Sequence, residues 1–265
     1  MRRELSDAQW QLIAPHLPPK KRMGRPRADD RKTLEGILWV LRSGARWRDV
    51  PREYTPGTTC WRRLKEWEES GVWETLWRVI LSSLEAEQKL DWAQAFLDGS
   101  FVPAKKGGAG VGLTRRGKGS KLILVTEGAG LPVGLHLDSA QQAEVKLAQT
   151  TLETVRVQPP RGRPRTRPEH LLADKGYDSG RFRHYLRRRG IGHTIPPIRR
   201  KGRRRPGRPI HADPIRYASR WIIERTTAWL QNFRRVLVRH ERLLTTYRAF
   251  VVLACVMITL GALLR

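Results

Sequence analysis

The chain has 265 residues, enough for one large domain or two small ones around a sizeable core. It carries 52 Lys and Arg against 25 Asp and Glu, a formal net charge of +27, with 39% apolar residues. The apolar share excludes a chain that stays unfolded, and the charge points to a polyanionic partner, because each neutralised phosphate releases condensed counterions. Cys60 and Cys255, its two cysteines, exclude a cysteine-rich zinc cluster and argue against a disulfide scaffold. A reducing cytoplasm is the expected compartment, and "MRRELSDAQW" has no apolar stretch of the kind a secretory signal needs.

Seven of the ten tryptophans precede residue 80, which marks a helical N-terminal unit, expected over residues 1–88. Asp29 and Asp30 can cap a helix with Leu34, Ile37, Leu38 and Leu41 at helical spacing, stopped by Gly44. A second helix restarts after Pro56-Gly57, with Trp61, Leu64 and Trp67 as its apolar stripe, and Gly71 ends it. A third carries Val72, Trp73, Leu76, Trp77 and Ile80. Short helices with tight turns and Arg62-Arg63 on an open face suit a helix-turn-helix-like DNA module. An ordinary helical bundle with solvated arginines would read the same way.

From Asp91 the period changes. "WAQAFLDGSFV", "SKLILVTEGAG" and "LPVGLHLD" predict three strands of an antiparallel meander, and "QQAEVKLAQTTLETV" a helix. "HLLAD" predicts a short strand, "SGRFRHYLRRR" a helix capped by Ser179, and "GIGHTIPPI" another strand. Residues 197–212 are rich in Arg, Pro and Gly and are expected to form a basic loop on phosphate. Asp213-Pro214 then opens a helix expected to run to about Arg239, with Ile215, Ala218, Ile222, Trp229 and Phe233 as its core stripe. The apolar stretch from Ala249 to Leu264 falls short of the roughly 20 residues a bilayer demands, so a buried helix is expected and no membrane partner. This order predicts an α/β domain over residues 89–265, a ribonuclease H-like mixed sheet with flanking helices, behind an all-α helix-turn-helix-like domain.

Three acids stand out on such a sheet. Asp98 lies in the first strand, Asp174 ends the short central strand, and Glu224 lies on the long helix, away from its apolar stripe. Each has a plain alternative: a turn before Gly99, a helix cap, a pairing with Arg220. Together, in so basic a chain, they suit two-metal phosphodiester chemistry, in which hard oxygen donors hold two Mg²⁺ ions, with Mn²⁺ as a natural substitute. Asp138, after the third strand, is the strongest competing acid.

At these residues the sequence resembles the DDE transposases of bacterial insertion sequences of the insertion-sequence-5 type. "LDGSFVPAKKGG", "RRGKGSKLILV", "LADKGYDS" and "YASRWIIERTTAWLQNFRRVLVRHER" carry the likeness, in order, over nearly the whole chain. Tyr217, Arg220 and Glu224 match the Y-(2)-R-(3)-E part of that family's signature, whereas the family's lysine seven residues after the glutamate is Gln231 here. Arg234 or Arg235 is the expected substitute. The resemblance implies Asp98, Asp174 and Glu224 as a catalytic, metal-binding triad, and double-stranded DNA, as terminal inverted repeats and target, as the partner of a homodimer. It implies cutting at the transposon ends followed by joining of the 3′ ends to target DNA. A non-catalytic DNA-binding descendant, or a nuclease that only hydrolyses, remains the alternative.

Further DNA contacts are expected from Arg25 and Arg27 in "MGRPR" and Arg163 and Arg165 in "RGRPR", which contain the core of minor-groove hooks. Lys105, Lys106, Arg115, Arg116 and Lys118 make a basic, Gly-rich hairpin able to track a backbone, and Lys175 and Tyr177 are expected phosphate neighbours. Solvated turns and linkers are the alternative for each.

Overall fold

A computed structural model describes residues 5–19, 26–198 and 213–265. Arg25 and nearly all of the basic segment 197–212 lie outside the described residues. The N-terminal helices are α1 (Asp7–Ile13), α2 (Asp30–Ser43), α3 (Gly57–Glu69) and α4 (Val72–Ala86). Their ends follow local chemistry. Asp29 caps α2 by accepting the Lys32 N–H, and Gly44 ends it at φ 71°, a left-handed conformation that costs a residue without a side chain least. On α3 the buried face is Cys60, Leu64 and Trp67. The expected stripe is corrected at one position: Trp61 is turned outward and is 36% exposed, because Cys60, one residue earlier, takes the inward place.

The sheet is built from β1 (Ala95–Pro103), β2 (Gly112–Thr114), β3 (Gly117–Glu127), β4 (Pro132–Ser139), β5 (His170–Ala173) and β6 (Gly192–Thr194). β3 pairs antiparallel with β1 on one edge and with β2 and β4 on the other, while β5 and β6 continue from β1 in parallel. The order β3-β1-β5-β6 puts β1 and β5 side by side in the middle of the sheet. α5 (Glu144–Glu153) follows β4, and α6 (Gly180–Arg188) links β5 to β6.

The expected single helix after Pro214 is instead three: α7 (Pro214–Ala218), α8 (Trp221–Gln231) and α9 (Arg234–Leu237). Asp213 caps the first through the Ile215 and Arg216 N–H groups. The breaks rotate the buried face away from the expected stripe. Ile215 is 85% exposed, and Ile222, Ile223, Thr226 and Leu230 are what α8 buries.

α10 (Leu244–Leu263) closes the chain. It is long and apolar enough to cross a membrane, and in this structure it is largely buried, packed against α3 and α4 and, more lightly, β4 and α8. The N-terminal helices thus share one hydrophobic cluster with the sheet and α10. Arg248 of α10 stitches the contact, donating to Glu68 at 2.5 Å and Glu74 at 2.7 Å.

Candidate active site

Register places the first two acids. Phe96 pairs with Leu172 and Leu97 with Ala173 in parallel, so Asp98 and Asp174 are the next residues of adjacent strands. Side chains alternate across a strand, so Asp98 shares the face of Phe96, and Asp174 that of Leu172. Phe96 and Leu172 pack on Ile222 and Ile223 of α8, which fixes that face as the one α8 covers. Two carboxylates therefore stand side by side under α8.

Arg220, the residue before α8, reaches into this place. Its Nη2 lies 3.6 Å from Asp98 Oδ2, its Nη1 donates to the Tyr217 hydroxyl at 3.2 Å, and its guanidinium sits 5.6 Å from the Tyr217 ring centroid. The Arg220 Nε–H is buried and has no partner. Glu224 stands one turn further along α8 and is exposed. Among the described residues, no three His, Cys, Asp or Glu side chains are gathered as a metal-holding group.

Burial pushes the Asp98 carboxyl above the usual range; the Gly99 N–H and Arg220 pull it back, and the charges of Glu144 and Asp174 push it further up. Asp174 accepts the Gly176 N–H and caps a short 3₁₀ turn over Lys175–Tyr177. Ser179 holds the N-cap position of α6 but makes no side-chain cap, contrary to expectation. Asp138, the competing acid, accepts the Ser139 N–H at 2.6 Å at the end of β4 and is also 3.8 Å from His136.

Two residues that sequence reasoning missed or misplaced belong to this site. Tyr177 is fully buried rather than facing phosphate, and its hydroxyl has no hydrogen-bond partner. Burial, then the charges of Glu144 and Asp98, the approach of the Glu144 carboxylate to the hydroxyl, too poorly aligned to make a hydrogen bond, and the charge of Asp174 push that phenol far up. Glu144, the first residue of α5, lies against Gly99: a Cβ there would fall 2.6 Å from the Glu144 Cδ. As an acid in a first helical turn Glu144 carries no distinguishing sequence signal, and Gly99 beside Asp98 is the only hint.

The basic candidates divide. Arg62, Lys105, Lys106, Arg115, Arg116, Lys118, Arg163, Lys175 and Arg234 are exposed. Arg115 and Arg116 form the two-residue turn between β2 and β3, the expected hairpin. Others are committed within the fold. Arg27 donates to Asp30 at 2.7 Å and to the Pro18 carbonyl and lies over Trp67, so its expected groove-reading role is corrected to a structural one. Arg235 is buried, paired with Glu241 at 2.8 Å, and bonded to the Gly44 and Ala45 carbonyls, which removes it as a phosphate contact. Arg63 pairs with Glu66 at 2.5 Å, and Arg165 with Glu85 at 2.6 Å, each keeping part of its surface open.

A three-stranded antiparallel meander continued by two parallel strands, with helices on both faces, one acid within the central strand and another just past the end of its parallel neighbour, defines a ribonuclease H-like fold. The family model described as "Putative transposase of IS4/5 family" matches residues 5–77, and that described as "Transposase DDE domain" matches residues 94–259. The chain belongs to this family of insertion-sequence transposases. It is 41% identical over 117 residues to the "Insertion element IS402 uncharacterized 16.2 kDa protein" of Burkholderia cepacia, covering 42% of this chain and 80% of that protein. It is 37% identical over 151 residues to the "Putative transposase for insertion sequence element IS402" of the same organism, covering 56% of this chain and 65% of that protein. Among solved structures, the piggyBac transposase in a synaptic complex with hairpin DNA matches 95% of this chain and 71% of its own at a TM-score of 0.51 and 9% identity, a likeness of fold.

Proposed function

We propose that this transposase cuts DNA at the terminal inverted repeats of its element and joins the freed 3′ ends to target DNA, acting as a homodimer on the DNA. The observation that carries the reading is the placement of Asp98, within β1, beside Asp174, just past the end of the parallel strand β5, with Arg220 against Asp98. The donor set suits a hard divalent cation: oxygen ligands in a partly buried place whose mutual repulsion is relieved by positive charge. Asp98 and Asp174, with Glu224 as the third carboxylate, would hold two Mg²⁺ ions, with Mn²⁺ as a substitute. Cations bound there supply charge neutralisation at the scissile phosphate and a more acidic attacking water or hydroxyl.

The remaining work falls to the chain. Arg220 holds Asp98 in place through one nitrogen and would add a fixed positive charge beside the scissile phosphate. Tyr217 fixes the guanidinium through its hydroxyl and ring. The exposed Arg115, Arg116 and Lys118 of the β2–β3 turn, with Lys105, Lys106, Lys175 and Arg234, would track the DNA backbone, while Arg62 on α3 would approach the repeat.

A duplex carrying one terminal repeat, incubated with Mg²⁺, tests the reading. Wild type nicks at the repeat end, and both chelation and Asp98→Asn abolish the product. Cutting that survives Asp98→Asn would remove the acid from the chemistry and the reading with it.

A further inference from the structure

We propose that Glu144 is a fourth carboxylate of the acid site, that it contributes to holding the second of two divalent cations, and that the Tyr177 hydroxyl positions it. This rests on the metal-dependent reading above.

The geometry begins at Gly99, the residue after Asp98. A Cβ added there would fall 2.6 Å from the Cδ and 2.8 Å from the Oε2 of Glu144, so the carboxylate fills the space a side chain on β1 would take. α5 thereby delivers an acid to the strand position next to Asp98, from the sheet face opposite α8. The other oxygen, Oε1, is 3.5 Å from the Lys121 Nζ, and that ammonium also donates to the Gln142 carbonyl at 2.8 Å.

Tyr177 is the second observation. It is fully buried, one short turn after Asp174, and its hydroxyl has no partner in this structure. An unsatisfied buried phenol is costly, and native folds keep such groups where a ligand or a functional partner completes them. The short turn that Asp174 caps ends at Tyr177 and packs against α5, which places the phenol between Asp174 and the helix that carries Glu144.

Charge balance gives the arrangement a purpose. Three carboxylates leave two divalent cations one positive charge in excess, whereas four neutralise them. Without cations, Arg220 at Asp98 and Lys121 at Glu144 offset the repulsion from either face of the sheet. The plain alternative is a first-turn acid favoured by the helix dipole and paired with Lys121. That role uses neither the gap at Gly99 nor the orphan hydroxyl of Tyr177.

Titration of the intact chain with Mn²⁺, reading free ion by electron paramagnetic resonance, separates the two. Wild type is expected to show two sites per chain. Glu144→Gln, isosteric at a side chain that is partly solvent-accessible, is expected to weaken one site by about tenfold or more and leave the other nearly unchanged. Tyr177→Phe weakens the same site by less, with circular dichroism and the melting midpoint checking that both variants are folded. If Glu144→Gln does not fold, Glu144→Asp, which keeps the charge but shortens its reach, is expected to weaken the same site. A Glu144→Gln isotherm superimposed on wild type, or a Glu144→Asp one where Gln does not fold, overturns the proposal while leaving the metal reading standing. Wild type that takes up no Mn²⁺ overturns both.

Discussion

Arg235→Ala tests how the helical region is fastened to the rest of the chain. The guanidinium donates from Nε and Nη2 to one oxygen of Glu241, both at 2.8 Å, and from Nη1 to the carbonyls of Gly44 and Ala45 at 3.1 Å. Both side chains are almost completely buried, at 7% and 5% exposure. Removing the arginine strands a desolvated carboxylate and frees the two carbonyls at the end of α2. Breaking one partner of a buried pair costs about 3–5 kcal/mol, chiefly through the charge left behind. For a chain of this size that corresponds to a fall in melting midpoint of roughly 10 °C. Thermal unfolding by circular dichroism reads it directly. The double variant Arg235→Met, Glu241→Leu is expected to recover most of the loss, since no charge is then stranded. An Arg235→Ala protein that melts with wild type but binds DNA with a salt slope shallower by about 0.9 would refute the argument and return Arg235 to the phosphate contacts.

Three further outcomes follow from particular side chains. Arg115→Ser with Arg116→Ser, at an exposed turn, should leave the melting midpoint unchanged while lowering the salt slope of DNA binding by about 1.8; an unchanged slope places the turn away from DNA. Burial raises the Glu127 carboxyl above its ordinary value of 4.5, so the folded state holds that proton longer than the unfolded chain does. Its stability contribution is therefore full below pH 4.5 and lost as pH rises through the raised folded value. Glu127→Gln should abolish that part of the pH slope, and an identical slope in the variant contradicts the assignment. Trp73→Ala, at a buried edge-to-face pair with Trp67 whose centroids are 5.3 Å apart, should cost about 3–5 kcal/mol in urea unfolding; a loss under about 1 kcal/mol would mean the cluster around it is not a packed core.

What could be seen beforehand was what local chemistry encodes. The strand alternation, the Asp29 and Asp213 caps and the stop at Gly44 depend on neighbouring residues, and each is where its residues point. The interruptions of the long helix were hidden, because Ser219-Arg220 and Asn232-Phe233 contain no proline or glycine and the apolar pattern runs through both. Composition counts arginines but does not assign them: Arg27 and Arg235 look like their exposed neighbours until the fold brings Trp67 under the first and the Gly44 and Ala45 carbonyls, with Glu241, against the second. Asp98 was legible as an acid inside an apolar strand and Asp174 as one at a strand end, both local features, whereas the register that sets them side by side is not local. Glu144 was invisible for a related reason: only the tertiary approach of α5 to Gly99 separates it from any other first-turn acid.

Strand transfer on pre-cut ends reads the chemistry of Asp98, Asp174 and Glu224 most directly. Duplexes ending in a free 3′-hydroxyl at the terminal repeat are incubated with target plasmid and Mg²⁺, and joined products are counted for wild type, Asp98→Asn, Asp174→Asn and Glu224→Gln, each shown to bind the repeat. Joined product is expected from wild type alone, with all three variants binding DNA normally and joining none. Joining by any one of the three variants at the wild-type level would contradict this.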